Sequence, residues 1–71
     1  MGYNKNDKVG WNWGSGEASG KIKEVFERDV ERTIKGSKIK RKGSKENPAY
    51  LIEQEDGSEV LKSHSELKKN S

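Results

Sequence analysis

Turn signals interrupt this chain so often that no apolar pattern runs far. Gly14-Ser15-Gly16, Gly36-Ser37, Gly43 to Pro48 and Asp56-Gly57 punctuate the sequence. Between them the apolar residues mostly fall at every second position, the spacing of a strand with one buried face. Across 7–13, Val9, Trp11 and Trp13 face one way and Lys8, Gly10 and Asn12 the other. Across 49–55, Tyr50 and Ile52 share one face and Ala49 and Leu51 the other. Asp56-Gly57 is a hairpin turn signal, and Glu59 to Lys62 is the returning strand. Short strands at this spacing point to a small antiparallel β fold.

Two segments are less direct. In 18–26 the alternation breaks, and a bulge near Lys23-Glu24 brings Ile22 and Val25 to the same side. Residues 21–34 also place Ile22, Val25, Phe26, Val30 and Thr33 at helical spacing, so strand and helix both remain open there. Their β-branched residues and weak N-cap favour strand. The stretch 28–42 folds as a hairpin about Gly36-Ser37, glycine leading as in a type II′ turn. That register sets Ile34 opposite Ile39, Thr33 opposite Lys40 and Glu31 opposite Lys42. After the last strand, Ser63 with Glu66 three residues on has the spacing of a capping box, which predicts one helical turn before Leu67.

The expected architecture is all-β: an SH3-like barrel of four to five antiparallel strands with a C-terminal one-turn helix. Its core is Val9, Trp11, Ile22, Val25, Phe26, Tyr50, Ile52, Val60 and Leu67. Residues 7–68 form the single domain, 1–6 a disordered N-terminus and 69–71 a polar tail. Of 71 residues only 12 are Leu, Ile, Val or Phe, and 38% are charged, close to a disordered composition. The net charge of only +3 and the ordered spacing of the apolar residues tip the balance to folding. The size leaves no room for a nucleotide-binding fold or a deep catalytic cleft.

Three stretches together resemble the small Tudor-like family called hypervirulence-associated, found in bacteria and fungi. They are Asp7-Lys8-Val9-Gly10-Trp11-Asn12, then Gly20-Lys21-Ile22-Lys23-Glu24-Val25, then Gly43-Ser44-Lys45-Glu46-Asn47-Pro48-Ala49-Tyr50-Leu51-Ile52. A closing Ser65-Glu66-Leu67-Lys68 also fits. The chain departs from the family at Lys45, where an acidic residue is usual, at Asn47, where Asp is usual, and at Lys62-Ser63-His64, where a His-Lys-Pro-like run is common. The resemblance implies an SH3-like Tudor barrel and no established ligand or activity. Tudor relatives bind methylated Lys or Arg, or nucleic acid, an analogy of fold alone.

Catalysis is not expected. There is no cysteine, and His64 is the sole histidine. Ser63, His64 and Glu66 are neighbours in one turn and do not converge on a substrate, so His64 reads as an exposed turn residue. Glu53, Glu55, Asp56 and Glu59 lack the spacing of a calcium loop and read as a solvated edge. No metal or cofactor is expected. The candidate ligand-binding residues are Trp13, Lys38, Lys40, Lys42 and Lys45. Trp13 ends a strand beside a glycine-rich loop, and Lys38, Lys40 and Lys42 share one face of a strand with no acidic residue between Lys35 and Lys45. The expected role is a non-enzymatic interaction module for a protein or peptide. The alternative is weak, sequence-independent nucleic-acid binding along 35–45. Absent cysteine favours a cytoplasmic setting, and a monomer is expected. No apolar run reaches the ~20 residues of a membrane span, the polar opening residues give no expectation of a signal peptide, and Asn6 breaks a myristoylation motif.

Overall fold

The computed structural model describes residues 2–69; the side chains of Trp13 and Lys69 lie outside that description. Seven strands form: β1 (Lys8–Trp13), β2 (Gly16–Phe26), β3 (Val30–Ile34), β4 (Ser37–Arg41), β5 (Ala49–Glu53), β6 (Glu59–Ser63) and β7 (Lys68–Lys69). A 3₁₀ turn at His64–Glu66 lies between the last two. Five strands make one antiparallel sheet in the order β6-β5-β2-β1-β7, and β3 and β4 make a separate hairpin. Among the described residues the strands do not hydrogen-bond into a closed barrel. Lys69 of the polar tail was not expected to join a sheet, yet it pairs with Val9, next to Lys68 with Gly10.

The helical alternative for 21–34 fails because β2 continues to Phe26, paired along β5. The register shifts between Ile22 and Glu24, so Lys23 is the bulged residue. The bulge does set Val25 on the Ile22 side, with Val25 opposite Tyr50 and Ile22 opposite Ile52. Val25 nevertheless is not core: it is 40% exposed, because the apolar cluster ends there and nothing covers the strand. Phe26, next along, turns to the opposite side of the sheet and is buried.

Strand β5 is buried on both sides and divides its residues between two apolar clusters. Tyr50 and Ile52 join Val9, Trp11 and Ile22, with Tyr3, Ala18, Val60 and Leu67 half-buried around them. Ala49 and Leu51 join Phe26, Val30 and Leu61, roofed by Ile34 and Ile39 of the hairpin. Gly20 allows the first cluster to close. A Cβ there would sit 2.6 Å from Ile52 Cγ2 and 2.7 Å from the Glu53 carbonyl oxygen, so β2 and β5 approach as closely as only glycine permits.

The hairpin register differs from the expected one. Ile34 pairs with Ser37, Thr33 with Lys38, Arg32 with Ile39, Glu31 with Lys40 and Val30 with Arg41. The two loop residues are Lys35 and Gly36, both left-handed with φ of 51° and 80°, as in a type I′ turn. Both turn types match the strand twist; the expected loop put glycine first, as a type II′ turn does, whereas the observed one puts it second after Lys35. The slip is two residues, an even number, so every side chain keeps its expected face.

Candidate functional site

The first six residues were expected to fray, but Tyr3 folds back onto the body of the protein. Its backbone N–H donates to the Tyr50 hydroxyl at 3.0 Å, and its ring meets the Tyr50 ring edge-on at 5.7 Å. The same hydroxyl lies 3.1 Å from Nδ1 of His64, whose ring is 5.0 Å from that of Tyr3. His64 is thus half-buried in an aromatic trio rather than exposed on a turn. The 3₁₀ turn is placed by the predicted capping box: the Glu66 carboxylate accepts from the Ser63 N–H and hydroxyl, each at 2.9 Å. The His64 N–H donates to the Pro48 carbonyl at 2.8 Å, fixing the turn against the loop before β5. Burial pushes the Tyr50 phenol above its ordinary value, and nearby Asp7 and Glu27 push the same way against the opposing Tyr3 N–H bond.

Asn47 has a matching task. Its side-chain oxygen accepts from the Ser65 N–H at 3.0 Å while its own N–H donates to the Ser44 hydroxyl. An Asp carboxylate could serve the same acceptor role, so the departure from the usual Asp leaves this contact intact.

Beside the trio, the N-terminal strap Gly2–Lys5 and the end of β2 enclose a cleft of about 470 Å³. Its lining is mostly polar: Asn4, Lys5, Lys45 and Glu27 supply polar and charged groups of both signs, and Tyr3, Val25 and Pro48 contribute the apolar part. Val25 is the one large apolar side chain of the described residues that stands exposed. Lys45 therefore belongs to this cleft rather than to the basic row of the hairpin.

Lys38 and Lys40 lie exposed on one side of β4, with Lys42 directly after it, while Ile39 and Arg41 turn inward half-buried. None of the three lysines forms an ion pair among the described residues, although Glu31 stands across from Lys40. Arg41 instead pairs with Glu66 at 2.9 Å. Trp13, the remaining candidate, ends β1 opposite Gly16, and its side chain lies outside the described residues.

The acidic tip is structural. Lys23 reaches Glu59 at 2.9 Å and Glu53 at 4.0 Å, and Asp56 accepts from the Ser58 N–H and hydroxyl. Among the described residues no group of three His, Cys, Asp or Glu could hold a metal ion, and no helix is long and apolar enough to cross a membrane.

Tyr3, Lys5, Glu27 and His64 were absent from the sequence-derived candidates. The available signal was Tyr3 itself, the one aromatic in an otherwise polar N-terminal segment.

The family model described as hypervirulence associated proteins TUDOR domain matches residues 7–67. No curated protein and no solved structure shows a significant match.

Proposed function

The chain belongs to the hypervirulence-associated TUDOR domain family, and from that premise we propose that it is a non-enzymatic module binding a protein partner through an extended peptide. Membership of the family supports a small interaction module, and the cleft supplies the surface. The observation that carries the reading is exposed Val25 in a cleft shared with Tyr3 and Pro48 and lined by Lys5, Lys45 and Glu27. A peptide side chain seated in the cleft would cover the exposed Val25 while its backbone met the polar lining. Charges of both signs around it suit a peptide of mixed charge rather than a polyanion.

Selection from a random peptide display library tests this. Peptides enriched on the wild-type domain should lose at least about tenfold in affinity, or 1.4 kcal/mol, on Val25→Glu. That variant should melt like wild type, since the position is exposed. Failure to enrich any peptide, or equal binding to Val25→Glu, overturns the reading.

A second reading rests on Lys38, Lys40 and Lys42, which share a side and lack ion-pair partners among the described residues. Three neutralised phosphates give a log–log salt slope of about −3 on duplex DNA. Gel shifts with generic duplex DNA at two salt concentrations, repeated with all three lysines changed to Gln, decide it. Trp13 enters only as a stacking platform in that same experiment.

A further inference from the structure

We propose that β2 accepts the peptide as an added strand: the peptide backbone pairs with an open sheet edge at Val25, an apolar residue covers the Val25 side chain, and a neighbouring carboxylate meets Lys5 and Lys45. This mode of contact rests on the peptide reading above and specifies it. Along most of β2 both edges are taken. β1 pairs with it from Gly16 to Lys21, and β5 from Lys21 to Phe26. On the β1 side only two further bonds follow, the Asn6 N–H to the Ile22 carbonyl and the Ile22 N–H to the Asp7 carbonyl. Past Ile22 that side has no backbone partner among the described residues.

The alternation of an antiparallel ladder tells which groups face this edge. The Gln54 N–H donates to the Ser58 carbonyl and the His64 N–H to the Pro48 carbonyl, each at 2.8 Å. The even-numbered residues of β5 therefore bond to β6, and Ala49, Leu51 and Glu53 bond to β2. Val25 stands opposite Tyr50, as Ile22 stands opposite Ile52. Both turn their N–H and carbonyl away from β5, and the bonds of Ile22 to Asn6 and Asp7 run in that direction. At Val25 the same two groups meet no protein partner among the described residues.

Two features keep the edge open. A bulge bends the strand that carries it, and the one at Lys23 falls where pairing on the β1 side ends. Asn6, left-handed with φ of 79°, turns the preceding chain off the line of β1, and Tyr3 bonds to Tyr50 instead. Between lies the cleft, lined by Val25 and Glu27 as well as by Asn4 and Lys5 of the strap. An unpaired N–H and carbonyl on a strand edge are matched by extended backbone. An apolar side chain beside Val25 completes a cross-strand pair. Lys5, Lys45 and Glu27 form no ion pair among the described residues, so two cations against one anion favour a carboxylate on the ligand.

Amide exchange of the full chain, alone and with a synthetic peptide from the selection above, tests the pairing. In the free chain the Val25 amide should be unprotected, while that of Phe26, bonded to Ala49, is protected. Saturating peptide should raise Val25 protection about tenfold or more and leave Ile22 unchanged. N-methylation of the peptide residue that bonds to Val25 should weaken binding a few-fold to about tenfold, and methylation of its chain neighbours should not. Enriched peptides should carry Asp or Glu beside an apolar residue. A protected Val25 amide in the free chain overturns the open edge; protection that appears only at high chain concentration, with a dimer in sedimentation, gives the edge to a second copy instead. Enriched peptides without a carboxylate overturn the assigned partner. Peptides that lose affinity on Val25→Glu yet leave the Val25 amide unprotected overturn strand addition while the peptide reading stands. Failure to enrich any peptide overturns both.

Discussion

The two apolar clusters flank the same strand but are built to different standards. Around Tyr50 and Ile52, four large side chains, Val9, Ile22, Tyr50 and Ile52, are sealed completely from water. On the other side of β5 only Ala49 is sealed; Phe26, Leu51 and Leu61 keep some exposure and Val30 is 9% exposed. The first cluster is enclosed by strands paired along one continuous sheet. The second is roofed by a hairpin that pairs with nothing outside itself. The hairpin is held by half-buried Ile34 and Ile39, by Arg32 stacked 5.1 Å over the Phe26 ring, and by the Arg41–Glu66 pair. Surface ion pairs and cation–π contacts each contribute about 1 kcal/mol or less. The sheet should therefore set the stability of the domain, with the hairpin as an attachment that can open locally.

The sharpest way to break this comparison is to empty the first cluster. Trp11→Ala should cost roughly 3–5 kcal/mol, comparable to everything a domain this small possesses. Thermal melting should show a chain unfolded or nearly so at 25 °C, hairpin included. A melting point within a few degrees of wild type would mean that the sheet does not depend on this cluster.

Ile39→Ala tests the other side. A fully buried Ile→Ala change costs about 2–5 kcal/mol, and half-burial reduces that to roughly 1–2 kcal/mol. The loss should be local: amides of β3 and β4 exchange faster, while those of Val9, Ile22 and Ile52 do not. Equal acceleration everywhere would show one cooperative unit and erase the distinction between the regions.

Glu66 joins the two. Burial alone would raise its carboxyl, but the Ser63 N–H, the Arg41 guanidinium and the Ser63 hydroxyl outweigh it and hold the group below its ordinary 4.5. A carboxyl lowered by folding stabilises the fold above its unfolded value, and that contribution is lost as pH falls through the folded value. Acid titration should therefore weaken the domain below pH 4.5, with Glu66→Gln removing part of that dependence. At neutral pH the substitution should cost about 1 kcal/mol, as loss of a capping interaction does. A wild-type acid profile unaltered by Glu66→Gln would place the acid sensitivity elsewhere.

How much the sequence discloses follows the same division. The strand alternation in β1 and β5, the bulge by Lys23, the Asp56-Gly57 turn and the Ser63–Glu66 box are all local patterns, so neighbouring residues suffice to read them. The folding back of Tyr3 onto Tyr50, and of Lys68 and Lys69 onto β1, depends on where distant chain arrives, and no spacing encodes it. The cleft was missed for that reason, since one of its walls is the returning strap. Val25 was misjudged because alternation gives the side a residue faces, not whether anything covers it.

The smallest effect concerns the hairpin turn, and its sign separates two registers. In the observed register Lys35 and Gly36 fill the loop, and lysine holds a left-handed φ of 51° that it tolerates poorly. Lys35→Asn creates Asn-Gly, the preferred pair for a type I′ turn. Relief of that strain should stabilise the hairpin by a few tenths of a kcal/mol, up to ~1. Amides of β3 and β4 should then exchange more slowly. In the alternative register, with Gly36 and Ser37 in the loop, position 35 belongs to a strand, where asparagine is disfavoured, and the same change would destabilise. Faster exchange across β3 and β4 would therefore reinstate the alternative register. Because the two registers differ by two residues, Lys38, Lys40 and Lys42 keep their side in either case. The substitution thus tests the turn without disturbing the basic face.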